Sequence, residues 1–141
     1  MRVFERAGAQ NTEETLRIAL DAARARALPL VVATTRGATA EEALRQAAGA
    51  GVKLIVVTHN CGFAEPGHLE LDAAVRRRVE EGGHRVLIGT LPLRSLGTAL
   101  RKLMGGSEQE IVNAALRIFC QGAKVCVEMA AINIRILAHL G

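Results

Sequence analysis

Three short, continuous apolar runs, separated by amphipathic stretches, constrain the fold of this chain more than any other feature of its sequence. The runs are Leu30–Ala33, Lys53–Val57 and Arg85–Ile88. They lack the polar alternation of a strand with one face in water, and such runs are typical of parallel strands that are covered on both faces. The stretches before and between them carry apolar residues at the helical spacing of three and four. The sequence therefore predicts an α/β sandwich with crossover connections.

Capping-box sequences predict where the helices of this sandwich begin. The two boxes are Asn11–Glu14 and Thr39–Glu42, and the first residue of each is the expected cap. The first helix must end before Pro29, because proline cannot continue a helix, and the second runs through Ala48. Apolar spacing predicts a third helix over Leu69–Val79.

The pattern changes after the third run. Two further helices are predicted, over Ser95–Met104 and from Ser107 to the break at Gly122. The last segment fits two structures, since Val125–Ile136 has helical spacing whereas its end, Ile132–Ile136, alternates like a strand. Helix is favoured, because no turn signal precedes that end. The 141 residues suit one domain and are too few for a (β/α)₈ barrel, which needs about 250.

Composition excludes several classes of function. Aromatic residues make up 2% of the chain, without Trp or Tyr, so a base-stacking platform for nucleic acid is not expected. The net charge is +4, but the charges alternate in sign, and the densest run, Arg76–Arg78, suits a solvated helix face. An odd number of cysteines without CxxC spacing argues against a disulfide framework. No stretch suits a signal peptide or a membrane span, so we expect a cytoplasmic protein without a membrane partner.

The loop after the first apolar run is the strongest candidate for a ligand site. It contains three hydroxyl residues, an arginine and a glycine, namely Thr34, Thr35, Arg36, Gly37 and Thr39. Open parallel sheets bind ligands at the carboxyl ends of their strands, and a helix start favours phosphate. The alternative is an ordinary connection in which Thr39 serves only as a cap. Spacing alone does not separate the two, because the loop matches neither a P-loop nor a dinucleotide-binding motif.

A second long loop, Thr58–His68, follows the next run, and Gly89-Thr90 follows the third. His59, Cys61 and His68 are types of residue that bind metals, but we expect no metal site, because the sequence shows no supporting carboxylates. The length of the Thr58–His68 loop favours a functional role for it. The alternative is a turn that is shaped by its glycines, with Phe63 tucked under it.

These motifs, taken in order, resemble the stand-alone proteins related to the C-terminal (alpha/beta) domain of pyruvate kinase. The likeness covers roughly residues 3 to 131. It is carried by Asn11-Thr12-Glu13-Glu14-Thr15, Thr34-Thr35-Arg36-Gly37-Ala38-Thr39-Ala40, Val57-Thr58-His59, Gly62-Phe63-Ala64-Glu65-Pro66-Gly67, Gly89-Thr90 and Gln121-Gly122-Ala123-Lys124-Val125-Cys126-Val127-Glu128. The resemblance implies one three-layer α/β/α domain over residues 1–141 with a mostly parallel sheet.

The resemblance also implies a ligand. In pyruvate kinase the equivalent loop grips a phosphate of a sugar bisphosphate activator, and some stand-alone members hold flavin mononucleotide. The residues that this implies as phosphate holders are Thr34, Thr35, Gly37 and Thr39, and the rest of the site is lined by His59, Gly62, Phe63, Gly89 and Thr90. Arg36 is added to the site for its positive charge and not through the resemblance. We expect a binding module for a phosphorylated small molecule without pyruvate kinase activity. The alternative is a small flavin-dependent oxidoreductase.

The sequence departs from the family at three places. Arg36 stands where a small hydroxyl residue is usual, and Leu91 stands where a His is usual. Family members continue after the position of Ala131 with further strands and a Gly-rich segment that have no counterpart here. In the family order these strands would pair with the first strand, Leu30–Ala33. Two outcomes are open for the edge of that strand. In one, Ile132–Leu137 folds back as a substitute strand, for which its alternation is suited. In the other, which we expect, the open edge recruits other chains and the protein forms a homo-oligomer.

Overall fold

A computed structural model describes residues 3–62 and 64–89 of the chain. Helices and strands alternate there, which confirms the predicted α/β fold. After a short 3₁₀ turn at Ala9–Asn11, the elements are α1 (Thr12–Ala25), β1 (Leu30–Ala33), α2 (Ala38–Ala47), β2 (Leu54–Thr58), α3 (Ala73–Glu81) and β3 (Arg85–Ile88). The helices predicted after Thr90 and the ambiguous last segment lie outside the described residues.

The three strands form one sheet in the order β1-β2-β3. β1 runs parallel to β2, in a register that pairs Leu30 with Leu54 and Ala33 with Val57. Every residue of the central strand β2 is buried. Because alternate residues of a strand face opposite sides, β2 is covered on both faces, as its continuous apolar run predicts. β1 is the edge strand of the described sheet, and the neighbour predicted for its outer side falls outside the described residues.

Helix α2 is the centre of the helical layer. It packs against β1 and β2 of the sheet and contacts α1 and α3. Two clusters of buried side chains join these elements. One contains Leu16, Leu20, Ala23, Val32, Ala43, Ala47, Val52 and Leu54, and the other Ala40, Val56, Leu71, Val75 and Val79. A second helical layer is not among the described elements, so the three-layer arrangement stays a prediction.

The helix starts differ from those predicted by the capping boxes. Asn11 occupies the cap position of α1, but its side chain makes no cap hydrogen bond and its Nδ2 donates to the carbonyl oxygen of Arg6 at 2.6 Å. The predicted cap of α2, Thr39, is wrong, because that helix begins at Ala38 and Gly37 is its cap residue. Thr39 therefore lies inside the first turn of α2.

Helix α3 begins at Ala73, four residues after the predicted start at Leu69. The carboxylate of Asp72 sets this start, since its Oδ1 accepts from the amides of Ala74 at 2.7 Å and Val75 at 3.3 Å. Leu71 fits the apolar spacing of the helix and is buried, but it lies in the segment that leads into the cap. Apolar spacing alone therefore predicted too long a helix.

Helices α1 and α3 end in the same hydrogen-bonded turn. At the end of α1, the amide of Leu28 donates to the carbonyl of Ala23 and the amide of Ala27 to that of Arg24. At the end of α3, the amides of His84 and Gly83 make the equivalent bonds to Val79 and Glu80. Both are Schellman motifs, which require a left-handed residue after the helix. That residue is Gly83 in one turn and Ala27, at a φ of 51°, in the other.

The chain divides into two compact units. The first consists of Met1–Thr58 and Leu69–Leu87, and it contains the three helices, β1, β2 and most of β3. The second consists of His59–His68 and Ile88–Gly141. In the part of the chain that the structure describes, no helix has the length and apolar character needed to cross a lipid bilayer.

Candidate functional site

The candidate site is the loop of the first unit that joins the carboxyl end of β1 to the start of α2. Its first residue, Thr34, extends the pairing of the strands, since its amide donates to the carbonyl of Val57 at 2.9 Å. Its hydroxyl then accepts a hydrogen bond from the amide of Gly37 at 3.1 Å. This bond closes a tight turn, so the backbone enters α2 directly after the strand.

Thr58, the last residue of β2, fixes the middle of this loop. Its Oγ1 donates to the carbonyl oxygen of Thr35 at 3.1 Å, and only 1% of Thr58 is exposed. By its position in the sequence, Thr58 was predicted to begin the second loop, with no role in the site. The sequence does contain a signal for this hydrogen bond, since Thr58 is a hydroxyl residue at the end of a fully apolar run. A hydroxyl buried there requires a hydrogen-bond partner.

The start of α3 also contacts this loop. The amide of Asp72 donates to the carbonyl oxygen of Arg36 at 3.2 Å. Gly37 adopts a φ of 122°, and a Cβ placed on it would lie 2.8 Å from Cγ2 of Val75. Gly37 is therefore required here by its backbone conformation and by the close approach of α3. Its own amide donates to the hydroxyl of Thr34.

The loop presents a cation and a hydroxyl to solvent. Thr35 and Arg36 are exposed, and no described residue forms an ion pair or a hydrogen bond with the Arg36 guanidinium. The first amides of α2, from Ala38 to Ala40, have no acceptor within the helix and carry its positive end. Guanidinium, hydroxyl and amide groups all donate hydrogen bonds to anions. The loop is thus suited to binding an anion.

The other predicted site residues belong to the second unit. The chain makes a closed turn there, in which the amide of Gly62 donates to the carbonyl of His68 at 2.8 Å. Gly62 has a φ of 81°, which favours glycine, so it shapes the turn as the alternative interpretation of this loop requires. His59 and Gly89 are half-buried, while Phe63 and Thr90 lie outside the described residues.

Cys61 of the same turn carries an exposed, free thiol. Within residues 3–62 and 64–89, no three His, Cys, Asp or Glu side chains lie close enough together to hold a metal ion.

An open groove lies away from the predicted loop, between α1 and α2. It has a volume of about 510 Å³. Its lining residues are Gln10, Glu13, Glu14, Arg17, Leu20, Asp21, Arg24, Arg45 and Gln46. Most of these charges are paired. Arg17 binds Glu14 at 2.8 Å, which raises the pKa of the guanidinium, and Arg45 binds Glu13 and Glu42. A charged ligand would have to break these pairs, so we assign no site to the groove.

No model of a known protein family matches this chain.

Proposed function

We propose that this protein is a binding module for a phosphorylated small ligand, flavin mononucleotide or a sugar phosphate, with the phosphate at the Thr34–Thr39 loop. One observation carries the proposal. The guanidinium of Arg36, which is exposed and has no partner among the described residues, lies at the carboxyl end of a parallel strand, directly before the positive end of α2. Such a position attracts anions, and arginine binds phosphate through two parallel hydrogen bonds. The proposal includes a cytoplasmic location, as expected from an odd number of cysteines without CxxC spacing.

The hydrogen bonds of the loop support this proposal. Thr34 binds Gly37, Thr58 binds Thr35, and the amide of Asp72 binds Arg36, all through backbone groups of the loop. A loop that is ordered before the ligand arrives loses less conformational entropy on binding. These bonds leave the side chains of Thr35 and Arg36 available to a ligand.

The test is a titration with flavin mononucleotide, followed by its fluorescence, with riboflavin as the ligand that lacks the phosphate. We expect flavin mononucleotide to bind more tightly than riboflavin. Arg36→Gln and Thr35→Ala each remove a hydrogen bond to a charged group, which is worth about 1.5–3 kcal/mol, or roughly 10- to 150-fold in affinity. Inorganic phosphate should compete with the flavin, as should a sugar phosphate.

Arg77→Gln is the matched control, because Arg77 is exposed on α3 and likewise has no partner among the described residues. If it weakens binding as much as Arg36→Gln does, only the net charge of the protein matters and the site is wrong. Equal affinity for riboflavin and flavin mononucleotide would contradict the phosphate site. Reduction of the bound flavin by a nicotinamide donor would select the oxidoreductase over the binding module.

A further inference from the structure

His84 forms an unusual link at the other end of the sheet, where β2 and β3 begin. Its Nδ1 accepts a hydrogen bond from the backbone amide of Leu54, the first residue of β2, at 3.2 Å. The preceding carbonyl, that of Lys53, accepts from Leu30 on the β1 side, so the amide of Leu54 points toward β3. A titratable side chain therefore takes the place that a backbone carbonyl would occupy in a regular ladder.

This hydrogen bond determines the protonation state of the ring. A backbone amide can only donate, so Nδ1 of His84 must be unprotonated, and the proton of the neutral ring is on Nε2. Protonation would place a second donor at Nδ1, facing the N–H of Leu54. Leu54 is fully buried, so its amide would then have no acceptor and no water. The folded arrangement and the imidazolium are incompatible at this position.

We propose that His84 is a pH-responsive latch that holds the amino ends of β2 and β3 together and releases them when its ring is protonated.

The turn that precedes β3 fixes the position of His84. The Schellman turn after α3 places His84, because its own amide donates to the carbonyl of Val79 at 3.1 Å and Gly83 adopts a left-handed φ of 75°. The ring is half-buried, so it can reach solvent without unfolding of the helix. The loop hydrogen bonds made by Thr34 and Thr58 lie at the carboxyl ends of the strands, so release at His84 leaves them in place.

Burial and a neighbouring positive charge favour the neutral form of the ring. Burial is the main cause of the lowered pKa of His84, and the positive charge of Lys53 lowers it further. The elements packed against it also carry Glu80 and Glu81 at the end of α3 and Arg85 in β3, of which Glu80 is paired with Arg76. Because the pKa is lower in the folded than in the open state, the latch is closed above pH 6.5, the usual pKa of histidine, and weakens as the pH falls below it.

The test is hydrogen exchange at the amide of Leu54, measured by NMR between about pH 7.5 and 5 and corrected for the intrinsic rate. In the wild-type protein, protection should fall by up to about tenfold for each pH unit below about 6.5. His84→Asn retains an acceptor near the position of Nδ1 and does not titrate, so its protection should be independent of pH. The amide of Thr34, at the other end of the sheet, is the internal control and should not respond.

Three results would overturn the proposal. One is the same pH profile at Leu54 in the wild type and in His84→Asn. Another is an equal response at Thr34, which would mean global unfolding. The last is a protonated Nδ1 at pH 7.5, seen in the ¹⁵N shifts of the His84 ring, and this measurement needs no variant. The ligand plays no part in any of these experiments, so they are independent of the proposed function.

Discussion

The two ends of the sheet are fixed by different kinds of contact. At the carboxyl end, the bonds to the Thr34–Gly37 loop come from hydroxyl and backbone groups, which do not titrate. At the amino end, the imidazole of His84 accepts a hydrogen bond from the first amide of β2. Under the two proposals made above, one small sheet combines a binding edge that is constant with pH and an opposite edge that responds to acid.

Gly37→Ala should break the carboxyl end more than any other single change. The new Cβ would lie 2.8 Å from Cγ2 of Val75, and alanine is strained at a φ of 122°. Strain and overpacking each cost about 1–3 kcal/mol, so we expect a loss of roughly 2–5 kcal/mol in the free energy of unfolding, measured by urea denaturation.

The matched control is Gly51→Ala, which leads into β2 at the amino end. Gly51 also has a positive φ, of 68°, but no atom lies within 4 Å of its Cβ position. Gly51→Ala should lower the free energy of unfolding only by the cost of backbone strain, about 1–2 kcal/mol. Equal losses at the two glycines would show that α3 does not press on the loop as closely as the structure indicates.

Thr58→Val should have the next largest effect, because it tests the buried bond that fixes the loop. Valine fills the same volume but leaves the carbonyl of Thr35 without its donor. We expect a loss of about 1–3 kcal/mol, unchanged between pH 5 and 8, whereas Thr58→Ser should retain most of the stability. The comparison of the two ends fails if the effect of Thr58→Val varies with pH.

Ala27→Gly should give the smallest effect, and in the opposite direction. Ala27 occupies the left-handed position of a Schellman turn at a φ of 51°, where the equivalent turn after α3 has Gly83. Removing this strain should stabilise the protein by roughly 0.5–1 kcal/mol in thermal and urea denaturation. Gly83→Ala is the reciprocal change and should destabilise it, by about 1 kcal/mol. A destabilising Ala27→Gly would mean that helix packing, rather than backbone conformation, determines the residue preferred there.

The strands were predictable because a strand that is buried on both faces appears in the sequence as a continuous apolar run. Leu30–Ala33 and Arg85–Ile88 occur where their apolar runs place them, and β2 is shifted by a single residue. The candidate loop was located for the same reason, since it follows a strand. The contacts within it were not predictable, because Thr58 and Thr35 are 23 residues apart in sequence and no local spacing shows which hydroxyl reaches which carbonyl.

The starts of the helices also could not be predicted from local sequence alone. Thr39 and Asp72 are both good cap residues by type, yet only Asp72 caps a helix. The hydroxyl of Thr34 accepts a hydrogen bond from the amide of Gly37, and α2 begins earlier than predicted, directly after Gly37. This early start depends on how tightly the chain turns after β1. The link between His84 and Leu54 likewise joins residues 30 positions apart.

The strand order of the described sheet follows the order of the chain, and this bears on how the protein is made. Each new strand pairs with the one synthesised just before it, as β2 does with β1 and β3 with β2. Ribosomes add about 5–20 residues per second, so the amino-terminal part of a chain is the first that is available for folding. We therefore expect the first unit to assemble stepwise during translation, with β1, α2 and β2 in contact before α3 and β3 have left the ribosome.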